Sequence, residues 1–192
     1  MKYNSSLKII KPLDIDTNPF SSRVHVKNSM IDNVLVFFPE LEAILSEMKL
    51  ALPEGYKRYL VDIHHDYYKS EKGTCVNADW HLDGSQNESK PEHYAIWVSG
   101  PDGSRTMFHP GFESSNTPFG VHSLEEKSHK FRQILGHELS DERMGFEIED
   151  RTLYSYSRYD FHKGRILDKP CTRTLIRLVA TDSIRPMKIT RI

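Results

Sequence analysis

The chain has 192 residues, 38% hydrophobic and 28% charged, which suits one domain with a buried core. Its 26 basic and 27 acidic residues leave a net charge of −1, so nothing draws the whole molecule to nucleic acid or a membrane surface, although a local patch stays open. No run approaches the ~20 apolar residues of a membrane helix, the N-terminus lacks a signal-peptide core, and Cys75 and Cys171 form neither a disulfide framework nor a CxxC knuckle. These features lead us to expect a soluble protein of the reducing cytoplasm.

In chain order, the first thirty residues mix short apolar pairs with Pro12 and Pro19, which predicts an extended arm or short strands on the edge of the domain. In "FFPELEAILSEMKLAL", Pro39 suits a first helical turn and Leu41, Ile44, Leu45 and Met48 share one face, so an amphipathic helix is expected. Near Tyr56 the period changes to two, and "YKRYLVDIHHDYY" reads as a strand. Further strands are expected at "TCVNADWHL" and "HYAIWVSG", separated by a polar loop from Gly84 to Glu92. "PDG" at 101–103 then turns the chain into "SRTMFH", and this last pair reads as a hairpin.

The stretch "HPGFESSNTPFG" is too rich in Gly, Pro, Ser and Asn for regular structure. It leads to a capping box at Ser123-Leu-Glu-Glu126 and a helix carrying Leu124, Phe131, Ile134 and Leu135. Residues 107–145 therefore read as an inserted loop plus helix within a single domain. Strands resume at "GFEIED", "RTLYSYSRYDFH", "CTRTLIRLVAT" and "RPMKITRI". Many short strands with few helices, and no strand-helix alternation, predict a mostly β barrel or sandwich with flanking helices. No glycine fingerprint of a Rossmann or P-loop fold is present.

One stretch carries chemistry. In "ADWHLDGSQ", His81 and Asp83 stand at i and i+2, so an extended backbone points both to one face. A second such spacing, His64 and Asp66, occurs in "DIHHDYY", with His65 turned to the opposite face. Two histidines and a carboxylate hold one side of an octahedron and leave the other open, which suits non-haem Fe(II). The third ligand is sought downstream. There His162 stands apart from the helical and turn histidines: it follows a β-rich run and precedes a strand on which Arg173, Leu175 and Arg177 share a face.

His81-x-Asp83, then His162, then Arg173 after ten intervening residues resembles the signature of the Fe(II)- and 2-oxoglutarate-dependent dioxygenases, over the chain from about Tyr56 to Thr181. The resemblance implies a double-stranded β-helix (jelly-roll, cupin-like) fold, with Fe(II) held by His81, Asp83 and His162. It implies that Arg173, helped by Thr106, binds the distal carboxylate of 2-oxoglutarate; a planar guanidinium fork suits that task. Arg177 resembles a second arginine that some members direct to an anionic substrate. Molecular oxygen is the implied co-reactant. The implied reaction is hydroxylation or oxidative demethylation of a prime substrate, a small molecule or nucleotide in preference to a protein, with 107–145 closing the barrel mouth. Two alternatives stand beside it. A cupin-like metal enzyme without cosubstrate would want further histidines and no carboxylate-binding arginine, and a non-catalytic β-barrel binding module would need no metal.

Overall fold

The computed structural model describes residues 2–15, 20, 23–70, 80–83, 90–113 and 145–191. These form twelve strands and two short helices. The strands are β1 (Lys2–Asn4), β2 (Lys8–Pro12), β3 (Val24–Met30), β4 (Arg58–Tyr68), β5 (His93–Ser99), β6 (Met107–Phe108), β7 (Gly111–Glu113), β8 (Phe146–Glu147), β9 (Thr152–Ser157), β10 (His162–Lys163), β11 (Cys171–Thr181) and β12 (Lys188–Arg191). The fold is mostly β and its pairings are antiparallel. A seven-stranded sheet runs β12-β3-β4-β11-β5-β9-β2, a three-stranded sheet runs β10-β6-β8, and β1 pairs with β7. With β12 and β2 at its two edges, the large sheet is open among the described residues.

The two faces of the large sheet differ because side chains alternate along each strand. One face carries Val61 and Ile63 of β4, Trp97 of β5, and Ile176 and Leu178 of β11. They pack against α1 (Ile31–Phe37), the 3-10 turn Pro39–Leu41 and α2 (Glu42–Leu50) through Val34, Leu41, Ile44, Leu45 and Met48. The expected helical face is thus the buried one. Pro39 opens the 3-10 turn that leads into α2. The short α1 has no counterpart in the sequence reading. Its "IDNVLVF" carries β-branched residues of poor helix propensity, and it buries Val34 against the sheet.

The opposite face carries Leu60, Tyr94, Ile96, Val98, Tyr154, Tyr156 and Val179, and it is covered by Phe108 of β6 and by Ile148 just after β8. The three-stranded sheet therefore lies over this face, and the chain alternates between the two: β5 in the large, β6 and β8 in the small, β9 large, β10 small, β11 large. The N-terminal arm supplies an edge strand, as expected, since β2 is the last strand beside β9.

Two expectations need correction. The segments "HYAIWVSG" and "SRTMFH" do not form a hairpin: β5 lies between β11 and β9, whereas β6 pairs with β10 and β8. The cause is Arg105. Its buried guanidinium donates to the Ile148 and Gly100 carbonyls at 2.8 Å and pairs with Asp102, while its backbone N–H donates to Glu147. These bonds pull the chain out of the large sheet and into the small one, with Gly103 in the turn at φ +80°, where a side chain would be strained. Nor is "HPGFESSNTPFG" wholly irregular, because Gly111–Glu113 pairs with Lys2–Asn4. Thus 107–108 and 111–113 belong to paired strands, while the capping box at Ser123 and its helix lie outside the described residues. So do the loop over 84–89 and most of the strand expected at "TCVNADWHL".

Candidate metal centre

His162 heads β10 and faces the large sheet, packed against Phe108 (5.5 Å between ring centroids) and Tyr156 (5.4 Å). On the other side of β10, His81 makes an antiparallel bridge. Each of the two histidine N–H groups donates to the other's carbonyl, at 3.0 and 3.1 Å, and the rings stand 4.5 Å apart. Asp83, two residues on, brings its carboxylate to 3.2 Å from His162 Nε2. One ligand atom from each of His81, Asp83 and His162 lies within 4.8 Å of the others, the one such grouping found among the described residues.

The tautomer of His162 is fixed by its surroundings. Its Nδ1 lies 3.0 Å from the Asp160 carbonyl, a bond that requires the proton on Nδ1 and turns Nε2 toward Asp83. A lone pair facing a carboxylate at 3.2 Å repels unless a proton or cation lies between them. Adjacent ligands on an octahedral ion with bonds of ~2.1 Å stand ~3 Å apart, so the observed spacing fits a bound cation. Burial works against the charge of Asp83, but Arg177 above all, then His162 and His81, hold its carboxyl well below the usual carboxylate range. A deprotonated Asp83 is the form a metal needs.

Arg177 joins two strands of the site. It bonds Asp83 and reaches Asp62 of β4 through Nη2 at 2.7 Å and Nε at 3.2 Å, and its guanidinium lies 5.4 Å from the centre of the Tyr94 ring. Asp62 is almost fully buried and also accepts the Asn28 backbone N–H at 2.8 Å. Beneath lie Tyr94 and Tyr156, stacked at 4.8 Å. Burial pushes both phenols up, so both stay protonated. Arg177 is therefore engaged by two carboxylates rather than directed at open space.

Arg173 shares that strand face four residues earlier and is buried. It donates to Thr106 Oγ1 at 3.0 Å and bonds the Tyr68 hydroxyl. A Cβ on Gly100 would lie 2.6 Å from Ser104 Oγ and 3.4 Å from the Arg173 side chain, so glycine there lets the backbone close over the arginine. Between the two arginines, His64 stands opposite Leu175. Burial lowers its pKa to about 4, so it is neutral at pH 7. Its i+2 neighbour Asp66 pairs with Arg23 at 2.8 Å and with His25. His65 points to the helical side, where Nδ1 meets Thr174 Oγ1 at 2.8 Å.

The sequence reading left out Asp62, Tyr94, Tyr156 and Asp160. Period two could have found the first, because Asp62, His64 and Asp66 alternate on one face of β4, the face on which Arg177 and Arg173 are cross-strand neighbours. Trp97, Trp80, Phe108 and Phe161 are core aromatics. No helix among the described residues is long and apolar enough to cross a membrane. No protein-family model matches the chain, and no curated protein or solved structure matches it significantly. The functional reading therefore rests on the residues themselves.

Proposed function

We propose that the protein is an Fe(II)- and 2-oxoglutarate-dependent dioxygenase built on a double-stranded β-helix, acting in the cytoplasm on a small molecule or nucleotide. The observation that carries this reading is the convergence of His81, Asp83 and His162 over the face of β11 that also presents Arg173. The strand order supports the fold. Part of the large sheet, β4-β11-β5-β9, faces the set His81-β10-β6-β8, and successive segments of chain alternate between the two.

His81, Asp83 and His162 would hold the iron, and its three-ligand set leaves positions for cosubstrate and oxygen. Bound there, iron and 2-oxoglutarate would supply the oxidising chemistry: one oxygen atom enters the substrate and the other enters succinate, with release of carbon dioxide. The chain supplies binding, orientation and exclusion of water. Arg173 and Thr106, both buried, would grip the distal carboxylate out of contact with bulk water, where a charge-assisted fork is strong. Arg177 keeps Asp83 ionised and aimed.

Anaerobic titration of the apo protein with Fe(II) and then 2-oxoglutarate tests the class. A weak visible charge-transfer band that needs both components, with one iron per chain, supports it. Iron binding without that band would favour a cupin-like enzyme without cosubstrate, and absence of both would favour a binding module.

A further inference from the structure

The N-terminal segment is remote in sequence from every residue of the metal centre, yet it ends on the turn that aims His162. That turn joins β9 to β10, and Asp160 is its anchor, 1% exposed. Its carboxylate accepts the Ser157 N–H at 2.7 Å and the Ser157 hydroxyl at 3.0 Å from within the turn. From the N-terminus it accepts the Ser5 hydroxyl at 2.7 Å, the Ser6 N–H at 2.6 Å and the Ser6 hydroxyl. The backbone carbonyl of the same Asp160 takes the Nδ1–H of His162 at 3.0 Å. Ser5 is itself tied down, since its N–H donates to the Pro110 carbonyl, between β1 paired with β7 and β2 paired with β9.

We propose that Asp160 is a positioning residue for the metal ligand His162, and that Ser5 and Ser6 complete it, so that the N-terminal strap sets the direction of the His162 ring. This rests on the metal reading given above. A carboxylate held by five donors cannot drift, and its carbonyl is one bond system away. With the carbonyl fixed, Nδ1–H has one direction to point, and Nε2 is aimed at Asp83. Partners that orient a ligating histidine typically change metal affinity about 10–100-fold when lost. The strap acts one step further out, so a loss of about tenfold is the expected effect.

Co(II) is the probe, because its visible d–d bands report ligand number and geometry directly. The full chain is compared with Ser5→Ala/Ser6→Ala, with Asp160→Asn, and with Ser6→Thr, which keeps the hydroxyl. We expect the double variant and Asp160→Asn to bind Co(II) about tenfold more weakly with shifted bands, the apo far-UV spectra unchanged, and Ser6→Thr to behave as the parent. Parent-like affinity and bands in a folded double variant would overturn the proposal while leaving the metal site standing. A parent chain whose Co(II) bands survive His81→Ala would instead overturn the metal reading, and the proposal with it. Should Asp160→Asn fail to fold, the serine variants decide, because they remove hydroxyls without burying a new unpaired group.

Discussion

His81 and His162 hold each other through a reciprocal pair of backbone hydrogen bonds, 3.0 and 3.1 Å long, that owes nothing to their imidazoles. The backbone bridge brings two ligand rings within 4.5 Å before any cation is present. Removing one ring should therefore leave the fold in place. We expect His81→Ala to lose tight Fe(II) binding with little change in urea midpoint, and His64→Ala to keep it. Equilibrium dialysis with metal analysis reads both. Retention by His81→Ala with loss by His64→Ala would move the centre to β4.

Arg173 lies buried with its fork toward Thr106, so its carboxylate partner would be largely desolvated. Truncating one member of such a pair typically costs ~2–5 kcal/mol, about thirty-fold or more in affinity. Arg173→Ala should weaken 2-oxoglutarate binding by at least that factor while iron still binds. Arg173→Lys, which keeps the charge and loses the planar fork, should fall between. Thr106→Val removes one hydrogen bond and should cost about 1 kcal/mol. Unaltered 2-oxoglutarate affinity in Arg173→Ala would remove the arginine from this role.

The sequence was informative where one local period governs. The alternation of "YKRYLVDIHHDYY" and "CTRTLIRLVAT" marked β4 and β11, and the 3.6-residue period marked the buried face of α2. His81, Asp83 and His162 stood out because their spacings are themselves the signal. What failed was decided at long range. β5 and β6 look like a hairpin, but the bonds of Arg105 to Glu147 and Ile148, more than forty residues away, place them in different sheets. The partners of Arg177 are equally hidden in sequence because both of its acids come from elsewhere, Asp62 by cross-strand register and Asp83 from the segment bridged to β10. The role of Asp160 is equally invisible, since its partners Ser5 and Ser6 belong to a segment with no pattern of its own.

Asp62 and Asp83 share Arg177 but differ in burial, with side-chain exposures of 2% and 23%. Loss of one partner from a buried ion pair leaves an uncompensated charge and typically costs about 3–5 kcal/mol, whereas a solvated partner is worth far less. Asp62→Ala should accordingly destabilise the apo protein by about 3 kcal/mol, and Asp83→Ala by well under half of that. Urea unfolding of the two variants side by side measures this. Equal losses would mean that water already screens Asp62.

His64 makes the stability of the apo protein depend on acidity in a separable window. Burial lowers its pKa from 6.5 to about 4, against the opposing pull of Asp62. Between those values the unfolded chain binds a proton that the native chain refuses, so stability falls as the pH drops through the window. The contribution is complete above pH 6.5 and gone below pH 4, and the shift corresponds to about 3 kcal/mol in all. Asp83 and Asp160, both held below the ordinary carboxylate range, lose their contributions mostly below that window and in both chains alike. His65, His93 and His109 are also lowered by burial, so the slope shrinks without vanishing when His64 alone is replaced. His64→Gln carries no titrating group there, and its urea stability relative to the parent should rise by about 2 kcal/mol as the pH falls from 7 to 4.5. Parallel stability curves for the two chains would show that His64 takes up its proton in the native state as readily as in the unfolded one, and that its ring is in contact with water.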